Sequence, residues 1–400
     1  MHVHPMHARR MQYRSRNVRA LIVTACLAAG CHGDGTTGNG ATRSGQQAWR
    51  ADVRAPSRTG FIAADSTHVY VYRNGLAISA IRLSDQTVAW TATSDETVDA
   101  NFSLRGTALC AGHVIFGSQA AVYAVVPQSG IRRWKWRGSV GGLIGYGAPV
   151  CDTSTMYLST GSPLRLYAVD AASGIERWVV SLDRQSAGNG FVRAPLVADG
   201  IVVACTREFV APFRGMIIGL DATTGGERWR YEWDALPPSV NASCVSAAIA
   251  HGTVVATVDD GRVFALGLQN GQLRWTSPRL GSLQVSDDER PAFAVDSTVI
   301  IGSLRGVIVG LDIATGSERW RTSDPVEAIF AINRGFVGGQ GRFFGINLSG
   351  WALAFDATTG RELWRAKPTS LDGRVLFGPG TLAGNRFVVI GSDGVYAFLQ

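Results

Sequence analysis

The chain has 400 residues, of which 46% are hydrophobic and 48 are glycine, and its formal net charge is +7. The composition is that of a globular protein with many tight turns, because glycine exceeds its usual share. Five arginines precede residue 20, and without them the charge falls to +2, which gives no support to nucleic acid binding.

The N-terminal segment has the pattern of an export signal. Residues 1–19 are basic, and residues 20–29 (ALIVTACLAA) form a short apolar run. Ten apolar residues fall well short of the roughly 20 that span a bilayer. We therefore predict a signal peptide over residues 1–30.

The apolar run ends in Leu27-Ala28-Ala29-Gly30-Cys31, which resembles a bacterial lipobox. The resemblance implies that Cys31 is diacylated and becomes the mature N-terminus. Cys26 also fits the pattern but leaves only about six apolar residues before it, and an ordinary secretory signal stays open as an alternative. Residues 31–47 are rich in Gly, Thr and Ser, which predicts a flexible tether.

The residue after Cys31 is His32 and not an aspartate. By resemblance to enteric lipoproteins, this favours the outer membrane over retention at the inner one. We expect a periplasm-facing lipoprotein of a Gram-negative bacterium, held at the membrane by its lipid anchor only.

Tryptophans recur through the rest of the chain at intervals of 44–51 residues, with one more 41 residues before the first of the regular series. The eight positions are Trp49, Trp90, Trp134, Trp178, Trp229, Trp275, Trp320 and Trp364. Such a period is the signature of a repeat architecture.

Most of these tryptophans end a similar eleven-residue phrase, such as AVDAASGIERW (168–178) and GLDIATGSERW (310–320). The phrase predicts a β-hairpin: the aspartate accepts backbone N–H groups in the turn, and the glycine supplies a positive φ. The tryptophan then lies on the returning strand, where it can pack on the next repeat. A second hairpin, such as LVADGIVV (196–203), precedes each phrase, so each period contains four short strands.

A period of 40–50 residues with four strands is typical of a β-propeller. The phrase A-x-D-x-x-T-G-x-x-x-W resembles the tryptophan-docking motif of the PQQ-type propellers, a family with quinoprotein dehydrogenases and the outer-membrane assembly lipoprotein BamB among its members. The resemblance covers residues 48–400.

The repeat count predicts how the ring closes. Seven tryptophan hairpins end at residues 90 to 364, and residues 388–399 supply further strands before the chain stops. Residues 47–53 can supply the missing outer strand of the last blade. We predict an all-β fold: an eight-bladed β-propeller of four-stranded antiparallel blades over residues 48–400, closed by the N-terminal strand.

The resemblance also raises an enzymatic alternative. A PQQ-dependent dehydrogenase would need PQQ, calcium and a catalytic acid, and its alcohol-oxidising members carry two adjacent cysteines. This chain is shorter and has no adjacent cysteines. Its repeat aspartates occupy the same turn of different blades, so they cannot converge on one ion; they are Asp170, Asp221, Asp312 and Asp356. We predict no enzyme activity, no catalytic residue, no metal and no cofactor, and keep the dehydrogenase as a remote alternative.

The four remaining cysteines are Cys110, Cys151, Cys205 and Cys244. We interpret them as small buried apolar residues. Disulfides among them stay an open alternative in an oxidising periplasm, with no pairing that the sequence can choose.

Two neighbouring links of the fourth blade are unusually apolar and should emerge on one face of the ring. They are residues 207–215 (REFVAPFRG) and 233–239 (WDALPPS). An exposed aromatic patch is the usual core of an interface, although such loops can also simply cover the end of the ring. The candidate partner-binding residues are Phe209, Pro212, Phe213, Trp233, Leu236 and Pro237.

BamB, as known for that family, contacts its barrel partner through interblade links that carry a Leu/Arg pair and paired aspartates. Residues 286–291 (SDDERP) resemble the second element, so Asp287 and Asp288 are further candidates; the preceding link has no Leu/Arg counterpart. The sequence thus favours a non-catalytic, monomeric, lipid-anchored scaffold that binds an envelope protein, in particular the outer-membrane β-barrel assembly machinery. The alternative is a generic PQQ-repeat lipoprotein that binds another envelope protein or a glycan, and which face binds stays open.

Overall fold

The structure is a computed structural model of the chain. It describes residues 44–53, 61–73, 77–95, 106–118, 120–140, 148–161, 163–182, 190–192, 194–208, 215–233, 243–258, 260–278, 280, 292–302, 307–323, 335–347, 349–369, 376–391 and 393–400.

These residues form 33 β-strands in eight separate antiparallel sheets, which are the blades of a propeller. The first strand of the chain, β1 (Gln47–Ala51), belongs to the last blade. Blade 1 consists of β2 (Phe61–Ala64), β3 (His68–Arg73), β4 (Ala77–Arg82) and β5 (Val88–Thr93). Blade 2 consists of β6 (Ala108–Cys110), β7 (His113–Gly117), β8 (Val122–Val125) and β9 (Arg132–Trp136). Blade 3 consists of β10 (Val150–Cys151), β11 (Thr155–Gly161), β12 (Leu164–Asp170) and β13 (Glu176–Ser181).

The later blades repeat this order, with one additional short strand in blade 4. Blade 4 consists of β14 (Gly190–Val192), β15 (Leu196–Ala198), β16 (Ile201–Glu208), β17 (Ile217–Asp221) and β18 (Glu227–Tyr231). Blade 5 consists of β19 (Cys244–Ala250), β20 (Thr253–Val258), β21 (Val263–Gly267) and β22 (Leu273–Ser277). Blade 6 consists of β23 (Phe293–Val295), β24 (Thr298–Gly302), β25 (Val307–Asp312) and β26 (Glu318–Ser323). Blade 7 consists of β27 (Val337–Gly339), β28 (Arg342–Ile346), β29 (Ala352–Asp356) and β30 (Glu362–Ala366). Blade 8 consists of β31 (Leu376–Ala383), β32 (Arg386–Gly391), β33 (Val395–Leu399) and β1.

The prediction of an eight-bladed propeller closed by the N-terminal strand is confirmed. Strand β1 pairs antiparallel with β33, with Trp49 opposite Ala397 and Ala51 opposite Val395. Hydrogen bonds to the C-terminus begin before the strand, because the Gly45 N–H donates to the Leu399 carbonyl at 2.8 Å. Blade 8 therefore joins the two ends of the chain, and the edge of β33 that would otherwise be free is paired with β1.

The first strand of each blade is the innermost one, because these strands contact their counterparts in the neighbouring blades around the ring. We call them the inner strands; the last strand of each blade, which carries the tryptophan, is the outer strand. The core lies between the blades. Tyr70 and Tyr72 of blade 1, for example, pack with Phe116 and Tyr123 of blade 2 in one buried cluster.

The tryptophans join successive blades through a hydrogen bond and a glycine contact. Six indole Nε1–H groups donate to a backbone carbonyl in the turn of the next blade at 2.7–3.1 Å, those of Trp90, Trp134, Trp178, Trp229, Trp275 and Trp320. Each of these rings also lies on a glycine of that turn with φ of +65° to +75°. A Cβ on any of the six glycines would come within 2.3–2.8 Å of the ring, so the joint requires glycine for both conformation and space.

The repeat aspartates stabilise these same turns. Asp312 Oδ1 accepts the N–H groups of Ala314 and Thr315, both at 2.9 Å, and Asp170, Asp221 and Asp356 make equivalent bonds. An arginine seven residues on adds a charge: Arg228 beside Asp221 and Arg319 beside Asp312 each hold the pKa of the carboxyl near 2, helped by the turn hydrogen bonds. The aspartates are thus occupied within their turns.

The joint between blade 8 and blade 1 differs from these six. Gln86 occupies the turn position of the glycine, with φ of +61°. Its side-chain Nε2 donates to the Leu83 carbonyl at 3.3 Å, the carbonyl that corresponds to the indole acceptor in the other turns. The buried indole Nε1 of Trp49 has no hydrogen-bond partner. The ring is therefore closed by a joint that lacks both standard features.

Candidate docking surface

The two link types of a blade, between its second and third strands and between its outer strand and the next blade, emerge on one face of the ring because successive strands are antiparallel. We call this the link face. The opposite face carries the hairpin turns with the repeat aspartates. The insertion in blade 4 joins β16 to β17, so it belongs to the link face, as does the link that begins after β18.

An aromatic cluster lies on the link face between blades 4 and 5. Trp233, two residues after β18, stacks on Phe264 of β21 with ring centroids 5.6 Å apart and an interplanar angle of 16°. Tyr231 contacts the same ring at 5.5 Å. Phe264 is almost fully buried, whereas Tyr231 and Trp233 are half-buried. We call Tyr231, Trp233 and Phe264 the aromatic cluster.

A buried ion pair closes the blade 5 side of the aromatic cluster. The Arg262 guanidinium lies 5.3 Å from the centre of the Phe264 ring, and its Nε donates to Asp260 Oδ2 at 2.7 Å. The Asp260 side chain is only 2% exposed. Because the arginine stacks on the ring and pairs with the acid, it fixes Phe264 under Trp233. The Phe264 ring of the cluster is thus held in place, whereas Tyr231 and Trp233 are partly exposed.

Only one of the predicted partner-binding residues lies in the described part of the chain. Trp233 is half-buried and packed on Phe264 rather than standing free in solvent. The others lie outside the described residues: Phe209, Pro212, Phe213, Leu236, Pro237, Asp287 and Asp288. The lipidation candidate Cys31 also lies outside them.

Sequence reasoning missed Tyr231, Phe264 and Arg262. Phe264 alternates with Val263 and Ala265 in an ordinary strand pattern, so nothing in the sequence separates it from the core. The one available signal is the charged turn Asp260-Gly261-Arg262, since the corresponding link of blade 2 (residues 118–121, SQAA) is uncharged.

The four cysteines form two disulfides, which is the alternative that the sequence left open, so our preferred interpretation of them as simple apolar residues is wrong. Cys110 of β6 is bonded to Cys151 of β10, and Cys205 of β16 to Cys244 of β19, with Cα–Cα distances of 5.7 and 5.5 Å. Each disulfide joins neighbouring blades, blades 2 and 3 in the first case and blades 4 and 5 in the second. The second lies between the two blades that carry the aromatic cluster.

The inner strands do not provide ligands for a quinone cofactor or its metal ion. None of the inner strands, the additional β14 included, contains an aspartate, glutamate, histidine, lysine or arginine. Among the described residues there is also no group of three or more His, Cys, Asp or Glu side chains that could hold a metal ion. A bound calcium needs several oxygen ligands, usually with carboxylates among them. The inner strands that the structure describes therefore do not fit PQQ with calcium.

The fold and the tryptophan joints define the class of protein: it is a β-propeller of the PQQ-like type. The sequence profile of the family described as outer membrane protein assembly factor BamB matches residues 38–135 and 118–325. These segments span more than half of the chain, and the chain belongs to this family.

The proteins that this chain resembles include BamB proteins and a quinoprotein dehydrogenase. Outer membrane protein assembly factor BamB of Yersinia pestis is 27% identical over 206 residues, which are 50% of this chain and 48% of that protein, so the chain spans about half of this curated relative. The crystal structure of BamB from Moraxella catarrhalis has the same fold, with a TM-score of 0.63 at 17% identity over 89% of this chain and 97% of that one. Quinohemoprotein alcohol dehydrogenase ADH IIB of Pseudomonas putida is 27% identical over 161 residues, 36% of this chain and 21% of that enzyme.

Within the part of the chain that the structure describes, no helix is long and apolar enough to cross a membrane.

Proposed function

We propose that the protein is a non-catalytic scaffold for the assembly of outer-membrane proteins. The observation that carries the proposal is the inner ring, which has the blade architecture of the BamB family but no ionisable side chain on its inner strands. A dehydrogenase of this class would need such groups to hold its cofactor and to move a proton. A ring without them is suited to present surfaces to other proteins.

The proposed partner surface is the link face of blades 4 and 5. The aromatic cluster has the features of an interface hot spot: large rings, a buried anchor in Phe264 and a fixed arginine. The apolar links that contain Phe209, Phe213 and Leu236 begin at the same face. Asp287 and Asp288, in the link that follows blade 5 in the sequence, stay candidates for the polar part of the proposed surface.

The scaffold is tested by crosslinking in envelope membranes with the lipidated full-length chain. We expect the wild type to recover a protein of the β-barrel assembly machinery, and the triple variant Phe209→Ala, Phe213→Ala, Trp233→Ala to lose it. Trp351→Ala is the matched control, because Trp351 is another half-buried tryptophan of the link face, in blade 7, stacked with Arg365 and Lys367. Recovery of no assembly component by the wild type would contradict the proposal and favour the alternative, a propeller for another envelope protein or a glycan.

The proposed membrane attachment is tested separately by metabolic labelling with radioactive palmitate. We expect the wild type to incorporate the label and Cys31→Ser to lose it, because Cys31 ends the segment that resembles a lipobox. Cys26→Ser is the matched control for the second candidate position. Unchanged labelling of Cys31→Ser together with loss in Cys26→Ser would move the anchor to residue 26, and no labelling of the wild type would exclude lipidation.

A further inference from the structure

Two isoleucines protrude at the outer margin of the face opposite the link face. Ile131 of blade 2 is 65% exposed and Ile175 of blade 3 is 67% exposed, more than any other large hydrophobic residue that the structure describes. Each follows the turn glycine of its hairpin, and the turn glycine of blade 3, Gly174, lies against Trp134 of blade 2, so the two isoleucines flank one joint. At the equivalent positions, blades 1, 4, 5, 6 and 7 carry Thr87, Gly226, Gln272, Ser317 and Arg361.

Blade 2 also has an unusual set of charges beside Ile131. In blades 3, 4 and 6, the arginine before the tryptophan pairs with the turn aspartate. Blade 2 has Val126 at the aspartate position, and Arg133 makes no ion pair with any residue that the structure describes. Arg132 stands where blades 3, 4, 6 and 7 have a glutamate. Strand β9 (RRWKW) therefore contains three cations and no acid.

The described acids around this end of β9 are already bonded. Asp95 of blade 1 accepts bonds from Arg132 at 2.7 Å and from Lys135 at 2.8 Å. In the blade 3 hairpin, Asp170 is paired within its own turn, and Glu176 accepts a serine hydroxyl at 2.7 Å. The remaining arginine of the strand is thus exposed beside an exposed isoleucine without a described counter-charge.

We propose that Ile131, Ile175, Arg132 and Arg133, which we call the rim patch, contact the headgroups of an anionic lipid bilayer. Two convex hairpin tips bury far less than the roughly 800 Å² per partner of a stable protein interface, but they can enter a soft surface. A β-strand rises about 3.3 Å per residue, so the backbone of the two arginines lies about 3 and 7 Å behind that of Ile131. Apolar side chains enter the boundary of headgroups and acyl chains by about 5–10 Å, which brings these arginines to the lipid phosphates.

The choice of a bilayer as the occupant rests on the proposed lipid anchor at Cys31. Ser44, the first described residue, is 13 residues after Cys31, and a chain of that length spans at most about 45 Å when fully extended. An anchored ring therefore stays near the headgroups, where a weak contact is favoured by the high local concentration. The negative phosphates of the bilayer complement the guanidinium groups of the rim patch.

The contact is tested with the lipidated full-length protein reconstituted into vesicles. A new cysteine carries the environment-sensitive fluorophore NBD, either in Ile131→Cys or in the matched control Ser317→Cys, which holds the same position in blade 6. The four cysteines of the ring are paired in disulfides and do not take the label. Vesicles of phosphatidylcholine are compared with an equal mixture of phosphatidylcholine and phosphatidylglycerol. We expect the mixture to raise the emission at residue 131 at least about twofold and to leave the emission at residue 317 unchanged.

Matched charge variants identify the source of the attraction. Arg132→Gln with Arg133→Gln removes two cations from blade 2, and Arg228→Gln with Arg230→Gln removes two from blade 4, both with the label at residue 131. The change in net charge is the same in the two double variants. We expect the blade 2 variant to lose the rise in emission and the blade 4 variant to keep it, with melting temperatures that show both to be folded.

Three results would overturn the proposal: no rise at residue 131, an equal rise at residue 317, or an equal rise in phosphatidylcholine alone. A label at residue 131 that responds only to an added assembly component would instead identify a protein as the occupant. The vesicle assay and the crosslinking assay fail independently. An assembly component recovered without a lipid response leaves the proposed function intact, and a lipid response without an assembly component leaves only the rim patch. The palmitate labelling tests the anchor apart from both.

Discussion

The closing joint of the ring provides a stabilising substitution, Gln86→Gly. In the six regular joints, a Cβ at the glycine would lie 2.3–2.8 Å from the indole, so the side chain of Gln86 must keep Trp49 from the same position. The Gln86 amide also occupies the carbonyl of Leu83. Glycine at residue 86 removes the side chain from the space beside Trp49 and frees the Leu83 carbonyl. It also removes the strain of a residue with a Cβ at φ of +61°.

The expected gain is about 2 kcal/mol in the free energy of unfolding. Relief of the left-handed conformation contributes about 1 kcal/mol. The greater freedom of glycine in the unfolded chain offsets roughly 0.7 kcal/mol of that. A partner for the buried indole N–H of Trp49 contributes about 1–3 kcal/mol. For a ring of this size, the sum corresponds to a rise in melting temperature of roughly 3 °C.

Differential scanning calorimetry of Gln86→Gly and Gln86→Ala separates these contributions. Alanine frees the Leu83 carbonyl but keeps a Cβ and the positive φ, so we expect little gain from it. Trp49→Phe tests the indole itself. In the wild-type background it should lower the free energy of unfolding less than Trp320→Phe does, because both tryptophans are 9% exposed but only Trp320 donates a hydrogen bond. In the Gln86→Gly background, the two costs should become similar. Equal stabilisation by alanine and glycine, or a lower melting temperature with glycine, would refute this explanation of the joint.

Four further predictions concern a glycine of a regular joint, a disulfide, the closing strand β1 and a turn aspartate. Gly316→Ala should destabilise the ring by about 1–3 kcal/mol more than Gly341→Ala in urea unfolding, because both glycines have φ of +74° but only Gly316 lies under a tryptophan. The double variant Cys205→Ser, Cys244→Ser should lower the free energy of unfolding by about 2–4 kcal/mol, because it removes a disulfide that spans 39 residues. Dithiothreitol should lower the melting temperature of the wild type more than that of this variant. Deletion of residues 46–53 removes β1 and should lower the melting temperature of the whole ring. An unchanged melting temperature would show that the pairing of β1 with β33 does not stabilise the fold. The pKa of Asp312 lies near 2 in the folded protein and near 4 in the unfolded chain, so its ionised form should contribute stability above pH 4 that is lost as the pH falls to 2. Asp312→Asn should flatten the melting profile there by less than about 1 kcal/mol, because the pair is only partly buried and solvent screens it.

The sequence predicted the ring well because each joint needs the same few residues at a fixed spacing. An indole must meet a glycine in the next turn, and this requirement repeats once per blade in a form that can be counted. The inner strand β31 was missed because residues 376–383 read LFGPGTLA, and Gly-Pro-Gly normally interrupts a strand. The structure accommodates it with an irregular register between Phe377 and Thr381.

The cysteine pairs and the aromatic cluster could not be predicted in the same way, because they depend on contacts between repeats. The separations of 41 and 39 residues in the two disulfides are close to one blade period, which places both partners in neighbouring blades. That spacing alone does not bring two sulfur atoms together. Likewise, Trp233 was found as an aromatic residue in a link, whereas its contact with Phe264 depends on how blades 4 and 5 meet.

Blade 1 combines the two main departures from the repeat. Its turn carries Gln86 in place of glycine, and its outer strand carries no charge. Both features lie in the same hairpin, β4–β5, whose phrase AIRLSDQTVAW has neither the glycine nor the arginine of the regular repeats. In the regular phrase, the glycine lies under the preceding tryptophan, and an arginine such as Arg228 or Arg319 pairs with the turn aspartate. One altered hairpin therefore gives blade 1 both a weaker joint to blade 8 and an outer strand without charged side chains, while the disulfides hold blades 2 to 3 and 4 to 5 together.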